Sequence, residues 1–122
     1  MDKFRFTNWQ VYKDAKTLTS IVIRVVKNLP KEYRFEIGSQ LNRSSLSVVL
    51  NIAEGCGRSG DAELNRFINI AIGSLYETFA GIDVLNDNKL IIEKDFTEIR
   101  QLIAGIDNQL GGLKRKIKGQ KI

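Results

Sequence analysis

Five cations crowd the last stretch of the 122-residue chain: Lys114, Arg115, Lys116, Lys118 and Lys121, with no acid from residue 108 onward. Such a cluster suits one kind of chemistry, the holding of phosphate by charge, independent of base sequence and weakened by salt. The plain structural reading of the same residues is a solvated helix end whose cations complement the negative pole of the helix dipole. Lys13 and Lys16 are further candidates, on the exposed side of an early helical segment. Arg24 and Lys27 lie farther along it and do not share a face with all the others. Aromatic residues are not interleaved with the tail cations, so base stacking is not expected there.

A second constellation is polar. Gln40, Arg43, Ser44, Ser47, Asn51 and Glu54 recur at spacings of 3 and 4, which draws a polar line along a helix with apolar flanks. It reads either as a recognition surface or as a hydrogen-bonded network inside an oligomer that fixes helix register, and the network is favoured. Glu77 follows Gly73 and Ser74 by one turn, which allows an Arg43–Glu77 or an Arg43–Glu54 bridge. Glu54 and Glu77 also raise the possibility of acid–base chemistry. The composition argues against it, because His is absent and Cys occurs once, as Cys56. Histidine-dependent triads, multi-His or multi-Cys zinc sites and intrachain disulfides are thereby excluded. The expectation is a protein that is not an enzyme and uses no metal or cofactor.

Gly55-Cys56-Gly57-Arg58-Ser59-Gly60 resembles a phosphate-cradling loop only on the surface, since it lacks both the Lys-Ser/Thr pair and a preceding strand. It reads as a helix-ending turn in which Gly55 or Gly57 takes positive φ. Arg58 and the following helix start could hold one anion. Cys56 reads as inert, as nothing in the pattern lowers its pKa.

The elements that must position these groups are helical. Val11, Ala15, Leu18, Val22, Val25 and Leu29 follow alternating spacings of 4 and 3, with Asn8 as a cap and Pro30 as the stop. Phe96, Ile99, Ile103, Ile106, Leu110, Leu113 and Ile117 repeat the pattern, with Asp95 and Glu98 resembling a capping pair and Gly111-Gly112 weakening the end. Between them, two segments carry two apolar faces each. In the second of these, Ala71, Ser74, Thr78 and Gly81 make a small-residue side that should meet a neighbouring helix backbone. Helices are expected at about 8–29, 35–54, 61–86 and 95–117, in one domain covering residues 1–122. Short connections make successive helices antiparallel neighbours, so the predicted fold is an all-α, up-down-up-down four-helix bundle. The excess apolar surface on the middle two helices is either a broad core seam or a face that binds another chain; self-association is favoured, since a standard interface needs only about 800 Å² per partner.

Charge is segregated along the chain. Residues 1–60 hold ten Lys/Arg against five Asp/Glu, residues 61–107 four against nine, and the remainder five against none. A hydrophobic fraction of 43% and a charged fraction of 27% place the chain among globular proteins. With no signal-peptide core at the start and no apolar run near the ~18 residues of a membrane span, a soluble cytoplasmic protein without membrane contact is expected. A symmetric oligomer would repeat the cationic patch in each subunit and strengthen its field.

Asn51-Ile52-Ala53-Glu54-Gly55-Cys56-Gly57-Arg58-Ser59 resembles the "NIAEG-x-GR-S" signature of the 23S rRNA-intervening-sequence proteins, also called S23-type four-helix bundle proteins. Trp9-Gln10 with Ala15, Leu29-Pro30 with Glu32, Gln40-Leu41 with Arg43 to Ser47, and Phe67 through Glu77 extend the likeness over about residues 8 to 90. One departure is Ser44-Ser45, where extra hydroxyls could re-wire the packing beside Arg43. The resemblance implies a compact bundle assembled into a ring-like homo-oligomer, commonly a pentamer, in bacteria, with no enzymatic activity. It also implies rRNA or other nucleic acid as a partner, or a nucleic-acid-processing protein. Similar bundles serve as basic accessory subunits of reverse transcriptases in diversity-generating retroelements. Two functions therefore stand side by side: an oligomer that binds nucleic acid through basic surfaces, and a protein-interaction scaffold without such contact.

Overall fold

A computed structural model describes residues 2–117, almost all of them helical. A 3-10 turn at Arg5–Asn8 leads into α1 (Gln10–Lys27). After Pro30 come a helical turn at Lys31–Tyr33 and a π-helical stretch at Arg34–Gly38, which runs straight into α2 (Ser39–Gly57). Then follow α3 (Asp61–Asp87) and α4 (Glu93–Ile117). The four long helices close into a bundle in which α2 packs on α1 and α3, and α4 on α3 and α1.

The apolar stripes account for this closure. Val11, Ala15, Leu18, Val22 and Val25 of α1 face the core with Ile99, Ile103, Ile106 and Leu110 of α4, and Leu29 is buried just ahead of Pro30. Each fully buried Leu or Ile contributes about 1.5–3 kcal/mol, which far outweighs the two helix-weakening glycines. Helix α4 accordingly continues through Gly111 and Gly112 to Ile117. Pairings run in opposite order along adjacent helices: Ser44 with Thr78 and Ser47 with Ser74 between α2 and α3, Asp14 with Gln109 and Arg24 with Asp95 between α1 and α4.

The small-residue side of α3 meets α2, as its composition suggests, and this is the most extensive helix–helix contact in the molecule. A Cβ at Gly81 would sit 2.6 Å from Leu41 Cδ2, and one at Gly55 3.0 Å from Leu64 Cδ1 and 3.1 Å from Phe67 Cβ. Gly55 is therefore a packing glycine inside α2, and the turn is made elsewhere. Gly60, with φ of 88°, takes the left-handed conformation expected of Gly55 or Gly57, because α2 runs three residues past Glu54. Much of the second apolar face of α3 is thus consumed within the chain: Phe67, Ala71, Thr78 and Leu85 are buried. By length and composition α3 could cross a membrane, but it packs against both α2 and α4 as a bundle helix.

Two helix starts differ from expectation. Asn8 ends the 3-10 turn and does not cap α1; Trp9 occupies the cap position with extended backbone and no side-chain cap bond. Asp95 is not the cap of α4, which starts two residues earlier at Glu93. Its carboxylate is drawn instead across the bundle to Arg24, at 3.1 and 3.2 Å.

Candidate nucleic-acid interface

The fold brings the two ends of the sequence together. Gln10 Nε2 in the first turn of α1 and Gln109 Nε2 near the end of α4 both donate to the Asp14 carboxylate at 2.8 Å. This clamp fixes the first turns of α1 against the last turns of α4. Lys116 lines an open cavity of 630 Å³ with Trp9, Gln10, Gln109 and Leu113. Arg115 is exposed, and its guanidinium lies over the Gly111-Gly112 backbone, 3.6 and 3.8 Å from where their Cβ atoms would stand. Lys114 is half-buried. Lys118 and Lys121 lie outside the described residues.

Lys13 and Lys16 are exposed on α1 and share a shallow cavity of 600 Å³ with Thr17, Ser20 and Arg24. Lys16 Nζ stands 5.1 Å from the centre of the Tyr12 ring. Arg24 is a weaker candidate than its exposure suggests. Its bidentate bond to Asp95, a carboxylate only 11% exposed, satisfies the guanidinium and raises its pKa further. Sequence reasoning missed this pair because 71 residues separate its members and neither pattern signals the other.

At the same end, Arg58 donates to Glu54 at 2.6 Å and its guanidinium lies 5.1 Å from the Phe67 ring centre. The next helix adds a second local pair, Arg66 with Glu63 at 3.1 Å. These pairs neutralise each other within a turn or so of helix and contribute little field. Among the described residues, Lys13, Lys16, Lys114, Arg115 and Lys116 form no ion pair.

The polar constellation turns out to be a ladder between α2 and α3 of one chain. Gln40 donates to Glu77; Thr78 Oγ1 stands 2.8 Å from Ser44 Oγ; Ser47 and Ser74 hydroxyls are 2.8 Å apart; Asn51 donates to Ser47. Arg43 and Glu54 are not part of it. Both are exposed, and Glu54 takes Arg58 as partner four residues on; neither the Arg43–Glu77 nor the Arg43–Glu54 bridge forms. Cys56 is a half-buried free thiol whose pKa is raised by burial, which disfavours the reactive thiolate. Among the described residues no cluster of three or more His, Cys, Asp or Glu could hold a metal ion.

The described residues thus form a four-helix bundle with a polar seam between α2 and α3. The chain belongs to the 23S rRNA-intervening sequence protein family, whose pattern matches residues 7–112. Among solved structures it is similar to a protein of unknown function from the S23 ribosomal protein family of Bacteroides thetaiotaomicron. The TM-score is 0.80 at 21% identity, over 86% of this chain and 98% of that one, a likeness of fold. No curated protein matches.

Proposed function

We propose that this protein is a cytoplasmic, self-associating bundle that binds RNA or another nucleic acid through the joined ends of α1 and α4. What supports the reading is the clamp on Asp14, which holds the first turns of α1, the part that carries Lys13 and Lys16, against the last turns of α4, the part that carries Lys114, Arg115 and Lys116; Lys116 lines a cavity with Trp9 and Gln10. Phosphate contact by such side chains needs no fixed geometry and no catalytic group. Self-association is supported by apolar side chains left outside the fold. Leu46 and Leu50, one turn apart on α2, are 44% and 54% exposed, and Phe35 on the π-helical stretch is 81% exposed. A ring of subunits, a pentamer in the reading the family suggests, would bury such groups and repeat the cationic end in each copy.

The direct test is titration of a structured RNA at low and at physiological salt, with wild type and with K114Q/R115Q/K116Q. Saturable binding that weakens in the variant supports the reading; equal binding by both proteins overturns the site. Solution mass by light scattering tests the assembly, a multiple of the subunit mass being expected and a monomer at micromolar concentration contradicting it. The competing reading is a scaffold or accessory subunit that docks a protein, including a nucleic-acid-processing enzyme such as a reverse transcriptase, through the same exposed apolar groups. Capture of a partner that survives nuclease treatment, together with no affinity for RNA, would favour it.

A further inference from the structure

The cation-rich end also carries the chain's one tryptophan. Trp9 is half-buried and packs against the core, yet it lines two open cavities. One is the 630 Å³ cavity shared with Gln109 and Lys116. The other, of 430 Å³, is shared with Phe6, Lys3, Arg5 and Arg58. Trp9 thus stands between Lys116 on one side and a mixed-charge cavity holding Lys3 on the other. The linear pattern of the tail hides this, because Lys116 meets an aromatic residue only through the fold.

The aromatic surface is held firmly. The Trp9 N–H donates to the Phe6 carbonyl at 2.9 Å, and the Trp9 carbonyl accepts the Lys13 N–H at 3.1 Å, so the ring hangs from the junction of the 3-10 turn and α1. Phe6 meets Tyr12 edge-on with ring centres 5.0 Å apart, and Phe4, 64% exposed, meets Phe6 edge-on at 6.4 Å. The smaller cavity also carries two carboxylates: Asp2, which accepts the Phe4 N–H at 2.9 Å, and Asp61, in the first turn of α3; Glu54 accepts Arg58.

We propose that Trp9, with Phe6, is a stacking platform for unpaired bases of single-stranded nucleic acid, the backbone passing between Lys3 on one side and Lys116 on the other. This rests on the nucleic-acid reading above and narrows it to strands with free base faces. Every base has a π-face, so the platform tolerates any sequence, whereas a duplex keeps its bases stacked on each other and cannot use it. Cavities of this size suit a base with part of its sugar, and cations on both flanks suit the phosphates on either side of it.

The lone tryptophan makes the test direct. Wild-type emission is followed during titration with an oligouridylate of about 12 nucleotides, a length within the span of known single-strand sites, and with a duplex RNA of equal length. Strong quenching by the single strand, at a midpoint equal to that from filter binding, and little change with duplex is expected. Trp9→Leu, with its fold checked by circular dichroism, should bind labelled oligouridylate roughly tenfold more weakly and duplex as well as wild type. Phe6→Leu should show a smaller loss in the same direction, and the wild-type quenching stands whether or not either variant folds. Binding of the single strand without change in emission overturns the platform and leaves the nucleic-acid reading in place. Absence of binding to either RNA at low salt overturns both.

Discussion

The α2–α3 seam and the joined ends of α1 and α4 are both rich in polar groups, but they use them in opposite ways. Along the seam, Ser44, Ser47, Asn51, Ser74 and Thr78 find partners on the facing helix or their own helix, and glycines bring the helices close enough for those short side chains to meet. At the cationic end, the acids are engaged locally while lysines face solvent around open cavities. A satisfied buried network holds register, whereas unpaired exposed charge gives a field that attracts an oppositely charged partner. The contrast separates residues that build the fold from residues free to serve it.

The seam should break hardest. Gly81→Val would force a branched side chain into Leu41, and overpacking of this kind costs about 1–3 kcal/mol. Thermal denaturation followed by circular dichroism should show a melting temperature lower by several degrees, with RNA affinity retained below the transition. An unchanged melting temperature would mean that the two helices are not in close contact. Next in size is Thr78→Val, which keeps the shape but removes the hydroxyl between Ser44 and the Ser74 carbonyl. Leaving a buried polar group with one partner fewer costs about 1–2 kcal/mol. Urea denaturation should give that loss, and the double variant with Ser44→Ala should recover part of it.

The cationic end should behave conversely. K114Q/R115Q/K116Q should leave the melting temperature nearly where it was, since two of the three side chains are exposed and none has an ion-pair partner among the described residues. Its effect belongs to binding. The smallest effect concerns the outer groove between α3 and α4, where the Tyr76 hydroxyl donates to Asp107 at 3.0 Å. That hydrogen bond, and then the charge of Asp107, hold the phenol pKa above its ordinary value of 10.0. The neutral phenol is favoured in the folded state, so the slight stabilisation is fully present below the ordinary value and is lost as pH rises through the raised one. Ultraviolet titration should show Tyr76 ionising at lower pH in Asp107→Ala than in wild type, and an unchanged titration would contradict the pairing.

How much of this could be read from the residues depends on whether the signal is periodic. Leu18, Val22, Ile99 and Ile106 announce their burial by a spacing of 3 and 4, and burial dominates the energy, so the helices and their core faces follow. Glycine roles are not periodic. Gly55 and Gly60 look alike in the sequence, yet one is wedged against Leu64 and Phe67 while the other makes the turn with φ of 88°. Charge pairing is less legible still. Asp95 looks like a cap beside its own helix start, and only the bundle geometry shows that Arg24 reaches it. Likewise Lys13 and Lys116 are candidates separately in the sequence, but the clamp on Asp14 that joins their surroundings depends on two glutamines to which local pattern assigns no role.

Affinity for a structured RNA, measured against salt concentration for wild type and for K114Q/R115Q/K116Q, tests the cationic end most directly. Each neutralised phosphate contributes roughly 0.7–0.9 to the slope of log affinity against log salt. The wild-type slope should therefore be steep, and the variant should lose up to roughly 2–3 units of it with its fold intact. Parallel lines for the two proteins would show that nucleic acid, if bound, is held somewhere other than the joined ends of α1 and α4.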